Sequence, residues 1–417
     1  MKEYIKFGFI ATIMLLATGC SSDSGSDVNV TEGINIELTA EEQSTMTHVQ
    51  DFSLDLFDKT SSYLSVDAVP NFVISPISTA ITMGLLANAC DGVCQSEILE
   101  SFGYGKNDVS ALNNALGKLS KELSSTVSSA SKLVLANSIW ISDEFACKEQ
   151  YQIDMQTMYD ANVQQLSFAD GASIINKWCA DKTDGMINSL PVRGDYEANL
   201  MYLVNATYFN APWSAPFKSS KEGVFNNVDG STSKVKFMQE EQNVAYWNNE
   251  STEIVVLSYG KSKLKFLIAQ CDDGYSFDNA YTSLRGFINN WETLTDIKTG
   301  ETTLSMPKIE VESDIDIRSI LTKMGVTSVF TPQNYCFSPI VESADLCVSQ
   351  YNQSTKFVAD EEGTKAASVT SVAIGDTFSP STNYVPKTID INRPFVYAVC
   401  DITNTKAIIM MGRVTKL

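Results

Sequence analysis

The sequence predicts an α+β fold in one large domain. Helical periodicity dominates its first third and short apolar strands dominate the remainder. No strand-helix alternation recurs that would build a parallel α/β sheet. At 417 residues, 44% of them hydrophobic, the chain can bury a sizeable core.

The elements follow in order. The stretch Leu38–Tyr63 opens with Thr39 and Glu42 at capping-box spacing, then carries Val49, Phe52, Leu56 and Phe57 on one helical face. A second helix starts at Pro76 in SPISTAITMGLLANA, and helical text continues to about Leu123. From Ser131, SKLVLANSIWI reads as a buried strand. Helical segments at Glu149–Asn162 and Ala172–Thr183 lead into the strand NLMYLVNATYF. Beyond Phe217 come the short strands KVKFM, EIVVLSY and KLKFLIAQC, then a helix at Ser276–Trp291 and the strand text TTLSMPKIEVES. A helix in DIRSILTKMG precedes the strands of DLCVSQYNQSTKFVA and FVYAVCDITNTKAIIMMGRV. There is no internal repeat, and no Pro- or Gly-rich linker after residue 40.

The N-terminus reads as an export signal. Lys2 and Lys6 precede the apolar run Phe7–Leu16, too short to span a bilayer and suited to a signal core. It ends in LLATGC, which resembles the lipobox of bacterial lipoproteins, with Ala17 standing where that motif usually has Leu. The resemblance implies lipidation at Cys20. The polar stretch SSDSGSDVN behind it is a tether that cannot fold alone. The expected layout is a signal peptide over 1–19, a tether over 20–37 and a domain over 38–417. The domain is expected on a bacterial cell envelope, facing the periplasm or exposed at the surface.

Composition narrows the function. Lys plus Arg number 30 against 50 Asp plus Glu, a net charge of −20 without a clustered basic face, which excludes a nucleic-acid surface. The single histidine, His48, lies on the first predicted helix, and no GxSxG, HExxH or P-loop pattern is present, so catalysis is not expected. No CxxC pair occurs, and neither a metal nor a cofactor is expected. With Cys20 set aside, eight cysteines remain; Cys90 and Cys94 could meet locally at a helix end, while the scattered others suit a buried apolar role.

One stretch fits no ordinary turn chemistry. EEGTKAASVTSVAIG, Glu361–Gly375, is followed by the irregular DTFSPSTNYVPK, and loops of this length are usually functional. Side chains along a strand alternate faces. One face of this stretch would carry Thr364, Ala366, Ser368, Thr370, Val372 and Ile374, with no charge among them; Lys365 falls on the other face. The segment can therefore exist in water or enter a sheet.

The motifs from Leu38 onward resemble those of the serpin family, the serine protease inhibitors. They are NFVISPIS (Asn71–Ser78), INKWCADKTDGMI, LVNATYFNAPWSAPF, SMPKIEVES, MGVTSVF, NRPFVYAVCDITNTKAIIMMGRV and the hinge-like ADEEGTKAASVT, in family order. The resemblance implies three β-sheets, about nine helices and an exposed reactive-centre loop over about 361–390. It implies a hinge at Glu361, Glu362, Gly363, Thr364, Ala366, Ala367 and Ser368. It also implies a polar "shutter" at Ser75, Ser78, Asn205 and Gln353, and a "breach" at Trp213, Lys308 and Glu361, with Glu361 paired to Lys308. Departures are Ala89 and Cys94 for the family Gly and Thr, Asn210-Ala211 for Lys-Gly, and Gln353 for the shutter histidine. Gln353 can still donate and accept, so a Gln353–Asn205–Ser75 cluster is expected.

Serpins act as suicide substrates: the cut loop inserts into a sheet and traps the acylated protease. This insertion, a property of the family, is a well-known instance of strand addition to a sheet. By family spacing the bait residue lies fourteen after the hinge glycine, giving Thr377–Phe378 and an elastase-like target. A one-residue shift gives Phe378–Ser379 and a chymotrypsin-like target. The implied partner is a serine protease, with a cysteine protease left open; membrane contact is through the lipid only, and the state is a monomer. The alternative is a non-inhibitory serpin-fold binding protein, whose hinge tends to carry charged or bulky residues.

Overall fold

The computed structural model describes residues 36–105, 109–125, 132–188, 200–260, 262–272, 274, 276–332, 336–342, 346–364 and 387–417. Among them are eight α-helices: α1 (Ala40–Tyr63), α2 (Pro76–Ala89), α3 (Gly92–Ser101), α4 (Val109–Ser125), α5 (Glu149–Tyr159), α6 (Gly171–Lys182), α7 (Phe277–Asn290) and α8 (Ile317–Lys323).

The helix starts follow the local chemistry. Thr39 and Glu42 form the reciprocal capping box of α1, and Met46, Val49, Phe52, Leu56 and Phe57 are buried on its inner face. Pro76 occupies the first turn of α2, where a missing N–H costs nothing. Nearly every residue of α2 is buried, because it runs between the two sheets and touches β-structure on both sides.

The smaller sheet contains β2 (Lys132–Ser142), β3 (Asn162–Leu166), β4 (Met201–Pro212), β10 (Ile309–Asp316) and β11 (Gln350–Ala359), in the order β10-β11-β4-β2-β3. A two-residue strand, β12 (Gly363–Thr364), joins β4 off that path. The larger sheet is built from β1 (Phe72–Ile74), β5 (Ser219–Asn226), β6 (Thr232–Asn248), β7 (Thr252–Ser258), β8 (Lys265–Cys271), β9 (Lys298–Pro307), β13 (Lys387–Asp390), β14 (Phe395–Cys400) and β15 (Ile408–Val414). Its order is β1-β15-β14-β8-β7-β6-β9-β13, with β5 on β6.

The expectation of three sheets meets a physical detail here. The first half of the 17-residue β6 pairs with β5 and its end pairs with β7, so two sheets become continuous through one long strand. Hydrogen bonding therefore counts two sheets. The short β3 was not expected. Its sequence NVQQL holds two apolar residues, too few for a periodic signal, and it forms because β2 offers a parallel edge.

Helix α6 covers the outer face of the smaller sheet. Trp178 meets Trp140 edge-on at 5.9 Å, and Ile175 and Cys179 pack against Ala136, Tyr202, Val204 and Ala206. Alternate residues of β4 thus serve two cores: Met201, Leu203, Phe209 and Ala211 point inward, and Tyr202, Val204 and Ala206 face α6.

The expected local meeting of Cys90 with Cys94 does not occur. Cys94 is bonded to Cys336, with the Cα atoms 6.4 Å apart. Cys90 ends α2 as a free thiol donating to Leu86 O, while the Asp91 N–H donates to Cys336 O at 3.1 Å and draws that distant segment alongside. The remaining free cysteines of the described residues are buried, except for the half-buried Cys147.

Candidate functional site

The site lies between β4 and β11. These strands pair in parallel from Tyr202–Gln350 to Tyr208–Lys356. Beyond that point no β4–β11 pairing continues, and β12 pairs antiparallel with the end of β4, Gly363 opposite Pro212 and Thr364 opposite Ala211. The chain reverses between β11 and β12 over Asp360–Glu362. The Asp360 N–H donates to Gly363 O at 2.8 Å, and the Asp360 carboxylate accepts from the N–H groups of Glu362 and Gly363.

Gly363 is required by proximity. A Cβ there would stand 2.3 Å from Ala211 O and 2.6 Å from the Pro212 Cα, so no side chain fits without moving backbone.

The reversal is anchored from both flanks. Trp213 donates its N–H to Glu362 O at 3.0 Å and its Nε1–H to Asp360 O at 2.9 Å. The Phe217 N–H donates to Glu361 O at 2.8 Å, and Lys308 Nζ pairs with the Glu361 carboxylate at 2.5 Å. Burial pushes the Glu361 carboxyl up, but the Lys308 hydrogen bond and charge outweigh it and leave it below the usual carboxylate range. Thr364 is fully buried, and its hydroxyl shares a 2.9 Å hydrogen bond with that of Tyr259. Burial raises the pKa of the Tyr259 hydroxyl, which stays protonated.

Farther down the slot a polar cluster lies under β4 and β11. Gln353 Oε1 accepts from the Ser75 N–H at 2.7 Å, and its Nε2 donates to Ser75 O at 2.9 Å and to Thr79 Oγ1 at 3.1 Å. The Ser75 hydroxyl donates to Ile409 O, in β15 of the other sheet. Asn205 Nδ2 donates to Thr82 Oγ1 and Asn137 Oδ1, and its Oδ1 accepts from the Tyr351 hydroxyl at 2.6 Å. Ser78 and Thr207 share a 2.9 Å hydrogen bond. Gln353 and Asn205 share no direct hydrogen bond, but Tyr351, which donates to Asn205, also interacts with Thr79 and Thr82, so the expected Gln353–Asn205–Ser75 cluster is joined through hydroxyls of α2. Gln353 spends both ends of its amide on α2 around Ser75, and Asn205, its neighbour across the strands, bonds other partners. The fully buried Thr355 Oγ1, on β11 opposite Thr207, has no hydrogen-bond partner among the described residues.

A family model described as "Serpin (serine protease inhibitor)" matches residues 47–417. The chain belongs to the serpin family. An uncharacterized serpin-like protein of Methanosarcina acetivorans is 27% identical over 424 residues, covering 97% of this chain and 95% of that protein. Plasminogen activator inhibitor 1 of Sus scrofa is 27% identical over 406 residues, covering 91% and 96%. Among solved structures, the thermophilic serpin tengpin in its native state is 30% identical with a TM-score of 0.78, covering 92% of this chain and 96% of that one. Human thyroxine-binding globulin complexed with thyroxine is 20% identical with a TM-score of 0.80, covering 90% of this chain and 99% of that one, a likeness of fold alone. Serpins are generally protease inhibitors and not catalysts, and their targets are generally serine proteases.

In this serpin the residues expected at the breach, Trp213, Lys308 and Glu361, come together around the Asp360–Glu362 reversal, and Glu362, Gly363 and Thr364 follow directly. Ser75, Asn205 and Gln353 lie in the polar cluster under β4 and β11, and Ser78 bonds Thr207 beside it. Ala366, Ala367, Ser368, Thr377, Phe378, Ser379 and Cys20 lie outside the described residues. Sequence reasoning missed Tyr259, Thr79, Thr82, Asn137, Thr207 and Tyr351. The signal for Thr79 and Thr82 was present, because both lie on the predicted second helix near Ser75. Tyr259 carried none, since a tyrosine closing an apolar strand reads as packing. Among the described residues no helix is long and apolar enough to cross a membrane, and no group of three His, Cys, Asp or Glu could hold a metal ion.

Proposed function

We propose that this serpin inhibits a serine protease as a suicide substrate, with Thr377–Phe378 as the bait bond and an elastase-like enzyme as target. The protease serine attacks the Thr377 carbonyl, the amine of Phe378 leaves with the C-terminal piece, and an acyl ester joins enzyme to inhibitor. Water must then hydrolyse that ester. Insertion of the new end into the smaller sheet is faster, and it drags the enzyme along.

The observation that carries this reading is the position of β12. The first two residues of the loop already pair with β4 at the open end of the slot, in the direction an inserting strand must run. Continuing the same register sets Ser368 against Thr207, Thr370 against Asn205, Val372 against Leu203 and Ile374 against Met201. Hydroxyls would meet the polar cluster and aliphatic groups the apolar end. About fourteen inserted residues span roughly 45–50 Å, and angstrom-scale distortion of a catalytic site can cost about a hundredfold in rate. Deacylation stalls.

Incubation of the domain with elastase-like and chymotrypsin-like proteases is expected to yield an SDS-stable adduct with one of them. Mass spectrometry of the released peptide should begin at Phe378, or at Ser379 for the shifted bond. Cleavage by both enzymes with no adduct from either would refute the inhibitory reading and favour a serpin-fold binding protein.

The N-terminal sequence supports anchoring of the domain to a bacterial envelope through a lipid on Cys20. Expressed in a bacterium, the full chain should incorporate labelled palmitate and sediment with membranes, and Cys20→Ser should do neither. Equal labelling of both forms would exclude the anchor.

A further inference from the structure

We infer that Tyr259 is a positioning residue for the trapping step, holding Thr364 in the slot so that insertion begins from a strand already docked. The inference rests on the inhibitory reading above.

Tyr259 belongs to the other sheet, one residue past β7, yet it is fixed to the end of β4. An isolated bridge pairs it with Trp213, the Ser214 N–H donates to Ser258 O at 2.8 Å, and the Gly260 N–H donates to Pro212 O at 3.0 Å. Ser214 Oγ adds a hydrogen bond to Gly260 O at 2.6 Å. The Tyr259 ring is fully buried, stacked on Trp213 at 4.7 Å and edge-on to Phe209 at 4.9 Å. Clamped on two faces, the ring cannot swing, and its hydroxyl occupies one place relative to β4. That place is 2.9 Å from Thr364 Oγ1.

The pairing bears on energy and register together. A buried hydroxyl without a partner is unfavourable, so Thr364 and Tyr259 stabilise the docked hinge by satisfying each other. A one-residue slip would turn Lys365 into the core face. A two-residue slip would bring Ala366 opposite Ala211, leave the Tyr259 hydroxyl unpaired, and place a side chain opposite Pro212 where Gly363 has no room for one. Tyr259 therefore favours the one register in which the hinge is seated. After acylation the competition is between insertion and hydrolysis, and a seated hinge starts insertion without first searching for its strand partner.

The test compares wild type, Tyr259→Phe, Thr364→Val and the double variant against the protease identified by adduct formation. Tyr259→Phe keeps the ring and removes one oxygen. Its ratio of cut inhibitor to adduct is expected to rise about fivefold, the scale of one lost hydrogen bond, and the stoichiometry of inhibition rises with it. The rate at which protease attacks the bait bond is expected to stay within about twofold, since the substitution lies outside the bait sequence. The double variant, with both hydroxyls gone, should be no worse than Tyr259→Phe alone; a merely structural role would make the two effects add. If Tyr259→Phe fails to fold, Thr364→Val carries the same test from the loop side. An adduct from wild type with unchanged stoichiometry in both single variants overturns the role of Tyr259 and leaves the inhibitory reading intact. Absence of any wild-type adduct overturns both.

Discussion

Thr364→Arg is expected to abolish the proposed trapping and leave a plain substrate. Thr364 is fully buried, and its side chain is paired with the Tyr259 hydroxyl, which cannot neutralise a guanidinium. An unpaired buried charge costs on the order of 3–5 kcal/mol, enough to slow the first step of insertion by more than about a hundredfold if the penalty falls on its transition state. Hydrolysis of the acyl ester then wins. The adduct band should disappear while the cut form accumulates. Because Thr364 is seated before any cut, the arginine should also unseat the hinge in the intact molecule. Trp213 holds the reversal through Glu362 O and Asp360 O, so its fluorescence should change in the variant without added protease. Retention of a wild-type amount of adduct would show that Thr364 is not on the insertion path.

The second large effect is thermal. Cutting the loop with a protease that leaves Thr364 to Gly375 intact is expected to raise the melting temperature by about 6 °C. Before insertion, β4 and β11 pair in parallel; afterwards a new strand lies antiparallel to β4, and by the same geometry to β11. One parallel pairing is exchanged for two antiparallel ones, which are slightly more stable per residue. Val372 and Ile374 contribute roughly 1.5–3 kcal/mol each when buried. A net gain of about 5 kcal/mol corresponds to about 6 °C in a domain of roughly 380 residues, at about 2.1 cal/mol/K of unfolding entropy per residue. A melting curve that does not move after the cut would mean that the intact fold holds no reserve for trapping a protease.

The parts legible in the sequence share a physical reason. Capping at Thr39 and Pro76 at a helix start are local patterns, each read within a few residues. The requirement for glycine at 363 was legible as freedom at a pivot. Its structural cause, the approach to Ala211 O, depends on a strand far upstream in the chain and was not. Cys94–Cys336 and Tyr259–Thr364 were equally hidden, because each pair is joined only by the tertiary path of the chain. Gln353 was read as a polar substitute in the slot, which its residue type allows, but that it reaches Asn205 only through Thr79 and Tyr351 depends on which hydroxyl of α2 lies nearest.

The disulfide has a practical corollary for handling the cut molecule. Both of its cysteines precede the loop, and the lone cysteine downstream, Cys400, is a buried thiol. If the proposed bait bond opens, the piece from 378 to 417 would have no covalent tie to its parent. It would stay because β14 and β15 are interior strands of the larger sheet, flanked by β8 and β1. The nicked molecule would therefore purify as one particle under native conditions and separate into two polypeptides in detergent, with or without a thiol reagent.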